Sequence, residues 1–95
     1  MKKIRDHYFK RAKEEKYLAR SVYKLMEIDG KYRIFKEGYG VLDIGCAPGS
    51  WSQYILKRIG NGVVWGVDTS ENVHIRDRRF TYVRTDILDS DAVHK

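Results

Sequence analysis

Hydrophobic and polar positions along this chain follow two different periods. Up to about residue 36 the pattern is helical. Residues from about Asp6 to Glu15 are good helix formers, and Ser21 is a suitable N-cap for a second helix running to about Asp29, with Gly30 as its stop. Val22, Leu25 and Met26 give that helix an apolar stripe, and Lys24 falls off its centre, one turn from Arg20 and Ile28, at the margin between core and solvent. After Gly38, short apolar runs alternate with turn residues. Residues 41–44 read as a strand, 45–49 as a turn and 50–59 as a helix, which Gly60-Asn61-Gly62 ends. Residues 63–67 read as a second strand closed by Asp68, and 80–84 as a third closed by Thr85-Asp86. The polar stretch 69–79 between them reads as a loop. Strands separated by crossovers predict an α/β fold with a parallel sheet flanked by helices, its ligand site beyond the carboxyl ends of the strands. The first strand is expected to be central in the fold. These strands alone would then leave an edge uncovered beside residues 41–44, open to self-association.

Composition narrows the classes. Ninety-five residues, 42% of them apolar, describe one domain or a piece of one. No apolar run approaches the roughly 20 residues that cross a bilayer. The N-terminus has no apolar signal core, and Asp6, Glu14 and Glu15 argue against a transit peptide, so a cytoplasmic location is the default. Cys46 is the single cysteine, which fits a reducing compartment, and no metal is expected.

The net charge of +6 is unevenly placed: residues 1–36 hold twelve Lys/Arg against five Asp/Glu, whereas residues 37–95 hold seven against eight. Tyr8, Phe9, Tyr17, Tyr23, Tyr32 and Phe35 are interleaved with those cations. Cations hold phosphates and rings stack on bases, so nucleic acid is the favoured partner, with Lys10, Arg11, Lys13 and Arg20 as candidate phosphate contacts. On composition alone, a solvated helical face with its aromatics turned inward is the alternative. The chain thus divides into a basic helical segment, 1–36, and a ligand-binding α/β segment, 37–95.

The turn Gly45-Cys46-Ala47-Pro48-Gly49-Ser50 joins a strand to a helix, where backbone amides and the helix N-terminus can meet a ligand. It does not satisfy the G-x-G-x-x-G pattern, and Pro48 lacks an N–H that a pyrophosphate cradle would use. Instead, Asp43, Asp68 and Asp86 bring up to three carboxylates to the strand ends. A cationic nucleoside without phosphate suits such a rim, and S-adenosylmethionine meets that description. Asp68 lies 23 residues after Gly45, close to the roughly 20-residue offset at which a strand-end acid meets a ribose. Asp86 would then meet the adenine end, with Trp51 packed along the cofactor. Taken singly, each acid reads better as an N-cap or loop carboxylate; the three together favour a cofactor site.

Val41-Leu42-Asp43-Ile44-Gly45-Cys46-Ala47-Pro48-Gly49-Ser50-Trp51-Ser52-Gln53 resembles the cofactor motif of the FtsJ/RrmJ family of RNA ribose 2′-O-methyltransferases. Asp6-His7-Tyr8, Ala12-Lys13 and the run from Arg20 through Lys24 to Asp29 resemble that family's N-terminal region, and the likeness extends to Asp86. Ser50 stands where a glycine is often found. The resemblance implies a Rossmann-like methyltransferase fold, of which this chain is the N-terminal half with about three strands. It further implies S-adenosylmethionine as cofactor, cofactor contacts at Gly49, Trp51, Asp68 and Asp86, and Lys24 as the first lysine of a Lys-Asp-Lys-Glu catalytic tetrad. Asp89 and Asp91 follow too soon after the third strand to supply the tetrad's aspartate, and the remaining members have no counterpart here. Ribosomal RNA is the expected substrate, ahead of transfer RNA. A catalytically silent RNA-binding module and a methyltransferase acting on protein or a small molecule are the competing readings. A lysine is charged at neutral pH, so Lys24 either acts as a base after burial or neighbouring cations deprotonate it, or anchors and steers as a cation.

Overall fold

The computed structural model describes residues 16–88. The helix expected over residues 6–15, and Lys10, Arg11 and Lys13 on it, lie outside the described residues. Helix α1 (Val22–Tyr32) starts after Ser21, as the sequence suggests, but the Ser21 side chain makes no capping bond. Its end corrects the expectation at Gly30, which sits inside the helix. The left-handed residue is Arg33, with φ of 50°, and its N–H donates to the Asp29 carbonyl at 2.6 Å. Asp29 explains the extra turn. Its buried carboxylate accepts from the Tyr54 hydroxyl at 2.5 Å, the Arg58 Nε at 3.1 Å and the Phe35 N–H at 3.1 Å, drawing the chain after the helix back onto its last turn.

Strands β1 (Gly40–Ile44), β2 (Val63–Asp68) and β3 (Phe80–Arg84) pair in parallel in the order β1-β2-β3, with Val41 beside Val64 and Val64 beside Phe80. Helix α2 (Ser50–Arg58) forms the β1-to-β2 crossover. The 69–79 connection between β2 and β3 contains no helix or strand, as its polarity suggests. It is held by the Asp77–Arg79 ion pair at 2.7 Å and by the Tyr82 hydroxyl donating to the Ser70 carbonyl at 2.6 Å. Arg79 also donates to the carbonyls of Leu56 and Gly60, satisfying acceptors that the end of α2 leaves open.

Alternation along the strands sorts the sheet into two faces. Val41, Asp43, Val64, Gly66, Phe80 and Tyr82 share the face on which the helices pack. There Val64 joins Val22, Leu25, Met26, Tyr54, Ile55, Leu56 and Ile59 in one buried cluster. Gly66 is set by close approach: a Cβ would lie 2.8 Å from both Cys46 Sγ and Phe80 Cζ. The opposite face carries Leu42, Ile44, Trp65 and Val83, which are 56%, 57%, 44% and 44% exposed. Parallel sheets are ordinarily covered on both sides. Val67, between Ile44 and Val83 on this face, is buried, but among the described residues no helix packs here, and no strand pairs with the outer edge of β1, which therefore ends the sheet.

Candidate active site

The strand ends are drawn together by backbone bonds. Gly45 and Cys46 both donate to the Val67 carbonyl, at 2.7 and 3.2 Å, and Thr85 donates to the Asp68 carbonyl at 2.8 Å. Asp43 and Asp68 thereby come to one rim, and Asp86 follows two residues after the end of β3. At the β1 end of that rim is a crevice of about 290 Å³, lined by Ser21, Asp43, Gly45, Cys46, Ser50 and Trp51 among others. Asp68 is tied to its turn through the Ala47 amide, and neither Asp68 nor Asp86 forms its lining.

The turn differs from the sequence expectation in how its amides are used. Those of Gly45 and Cys46 are taken by Val67, and that of Ala47 donates to Asp68 Oδ2 at 2.9 Å. These three N–H groups fix the turn and are not offered to a ligand, which leaves side chains and the first-turn amides of α2 to do the recognising. Gly49, the residue before α2, has φ of 123°, and a Cβ there would come 2.8 Å from Ile75 Cδ1. Glycine is demanded at this position by backbone conformation and by the approach of the 69–79 connection.

Asp68 Oδ1 accepts from the amides of Thr69 and Ser70, at 2.7 and 3.3 Å. These bonds, the Ala47 amide first, hold its carboxyl below the usual range, so it is ionised at neutral pH. A carboxylate has about four acceptor sites, which leaves Oδ2 one more hydrogen bond to accept. Asp43 is buried, and its Oδ2 accepts from the Ser52 hydroxyl at 2.7 Å. Burial raises its carboxyl, the Ser52 bond opposes that, and the charge of Asp68 adds to the rise. Cys46 registers the same field: burial, then Asp43 and Asp68, push its thiol up to about 11. It is a protonated, inert thiol in a negatively polarised crevice. Among the described residues no cluster of His, Cys, Asp and Glu has the makings of a metal site.

Trp51, in the first turn of α2, keeps 37% of its surface open beside the crevice. Asp86 is exposed after β3, and its Oδ1 accepts from the Leu88 amide at 2.9 Å. Lys24 is exposed on α1, one turn beyond Ser21, which lines the crevice; its N–H donates to the Ser21 carbonyl at 3.2 Å. Arg20 is exposed immediately before Ser21. Two features of this region went unread in the sequence. Ser21 faces the crevice rather than capping its helix, for which the sequence holds no signal. Asp29 is the buried hub described above; an acid at a position continuing the Val22-Leu25-Met26 stripe is the signal that marks it.

The sequence pattern of the FtsJ-like methyltransferase family matches residues 17–95. Ribosomal RNA large subunit methyltransferase E of Brachyspira hyodysenteriae is 51% identical over 93 residues, 97% of this chain and 48% of that protein. The same-named protein of Bdellovibrio bacteriovorus is 50% identical over 86 residues, 90% of this chain and 43% of its own. The chain thus spans about half the length of these relatives. A crystal structure of a Plasmodium falciparum protein described as a ribosomal RNA methyltransferase superposes with a TM-score of 0.66 at 35% identity, covering 79% of this chain and 41% of that one. The pattern covers most of the chain and the fold superposes on a solved structure of the same kind, and the chain belongs to the FtsJ-like methyltransferase family.

Proposed function

We propose that this chain is the cofactor-binding and lysine-bearing part of a cytoplasmic enzyme that methylates a ribose 2′-hydroxyl of ribosomal RNA, using S-adenosylmethionine. The observation that carries the reading is the crevice itself: two carboxylates, Asp43 within it and Asp68 behind its turn, polarise a site whose lining includes Ser21, three residues before Lys24. The donor set fits the cofactor. A rim that is anionic and offers acceptors suits ribose hydroxyls and a cationic sulfonium and ammonium, and the open face of Trp51 suits a flat apolar contact. Transfer RNA fits the same chemistry; the names borne by the relatives favour the ribosomal substrate.

When bound, the cofactor supplies an electrophilic methyl group. Asp68 would accept from a ribose hydroxyl through Oδ2, held in place by the turn amides, and Asp43 would balance positive charge across the crevice. Lys24 would orient the substrate hydroxyl or take its proton. Because that hydroxyl is a weak acid, the lysine amine matters most as negative charge grows on oxygen in the transition state.

Lys24→Ala in the complete protein should lower methyl transfer by about 10²–10⁴, with cofactor affinity and folding unchanged. Lys24→Arg separates the roles, since a permanently charged guanidinium can anchor but cannot serve as a neutral base. Asp68→Ala, titrated calorimetrically, should weaken cofactor binding. Wild-type turnover by Lys24→Ala would remove this lysine from the site.

A further inference from the structure

A second groove, also about 290 Å³, lies between α2 and the 69–79 connection. Leu18, Leu56 and Ile75 line it together with Lys57, His74 and Arg76. Asp77 and Arg79 line it too, but they neutralise each other at 2.7 Å, and the remaining Arg79 donors are spent on carbonyls. Lys57 and Arg76 give the lining its positive side chains. The Lys57 ammonium is 4.5 Å from the centroid of the Tyr17 ring, and Arg76 is exposed with no ion pair among the described residues. The cations are interleaved with apolar side chains, and no set of backbone amides is described converging there. That arrangement suits an extended polyanion with apolar sugars and bases better than a small free anion.

The groove adjoins the crevice. Leu18 lines one and Ser21 the other, so the segment carrying Arg20 runs between them. At Gly49, beside the crevice turn, a Cβ would touch both Ile75 and Leu18 of the groove, at 2.8 and 3.5 Å. Along α2, Ser50 and Trp51 serve the crevice, and Gln53, Leu56 and Lys57 serve the groove one to two turns on. From this continuity we infer that the groove holds the phosphodiester backbone of the RNA flanking the nucleotide presented to the crevice. The inference rests on the reading above that the substrate is RNA, and it adds a phosphate track outside the basic N-terminal segment.

The test is the salt dependence of binding between the complete protein and an unmodified large-subunit ribosomal RNA fragment. Lys57→Gln/Arg76→Gln should flatten the log–log slope by roughly 0.7 for each phosphate no longer neutralised, about 1.4 in all for single-stranded RNA. S-adenosylmethionine affinity and the melting temperature should stay at wild-type values, because both side chains are exposed. Arg20→Gln is the reference for RNA binding as such. If Arg20→Gln lowers the slope and the groove variant does not, the groove is merely solvated and the inference is overturned while the RNA reading stands. If the groove variant binds naked RNA normally but is retained less well on whole ribosomal subunits, the face is a protein contact and the inference is again overturned. If the wild-type protein shows no salt-dependent RNA binding, the RNA reading falls and takes the inference with it.

Discussion

On one face of the sheet Val64 is fully buried under Met26, Tyr54, Ile55 and Ile59, while on the other Leu42, Ile44, Trp65 and Val83 are open to water. Composition does not separate them, since the exposed set is as apolar as the buried one. The difference is whether an element lies opposite. Apolar side chains gain stability only when water is displaced from both partners, so the helix-covered face should carry nearly all of the stability of the described residues. The bare face, with the free edge of β1 beside it, is a surface that calls for a covering layer.

The largest effect should come from the covered face. Ile59→Ala removes a side chain with no exposed surface and should cost about 2–5 kcal/mol in urea unfolding. A loss below about 1 kcal/mol would mean that α2 is not what holds the sheet, and the contrast between faces would lose its meaning.

Asp29 gives an intermediate effect and a pH signature. Burial alone would raise its carboxyl, but the Tyr54 hydroxyl, the Phe35 amide and the Arg58 charge outweigh burial and hold it below the usual carboxylate value. A depressed native value contributes stability that is fully present above the unfolded value, near 4, and is lost as pH falls through the native one. Asp29→Asn should cost about 1.5–3 kcal/mol at neutral pH. Melting temperatures followed from pH 6 to pH 3 should fall less steeply for the variant than for the wild type. Parallel curves would show that the carboxylate is not ionised in the hub.

The smallest effect belongs to the bare face. Leu42→Thr and Trp65→Thr should change stability by no more than about 0.5 kcal/mol, while reducing self-association measured by analytical ultracentrifugation. Losses rivalling that of Ile59→Ala would show that the face is covered in solution.

The short apolar runs bounded by turn residues make the strands legible in the sequence: β2 and β3 lie where those runs place them, and β1 begins only one residue earlier than its apolar run. The same holds for the acids at the strand ends, whose approach follows from parallel pairing. Elsewhere, tertiary contacts override a local rule. Gly30 has the chemistry of a helix stop, yet the stop falls at Arg33, because Tyr54 and Arg58, some 25 residues away in sequence, recruit Asp29. The turn amides look available because a strand–helix turn usually presents them; Val67 and Asp68 claim them instead. The groove is not legible at all, since Leu18, Lys57 and Arg76 share no local pattern and meet only through the fold.

The crowding at Gly66 has a consequence for how this sequence can change over generations. With Cys46 Sγ and Phe80 Cζ both 2.8 Å from where a Cβ would stand, positions 46, 66 and 80 form a single heritable character. Alanine at 66 meets both neighbours at once, so it is accepted most readily by a lineage that has already shed bulk at 46 and 80. Taken in the reverse order, the path passes through an overpacked intermediate about 1–3 kcal/mol less stable. A thiol whose proton is held up to about 11 then persists for its volume rather than its chemistry, and alanine is an acceptable heir.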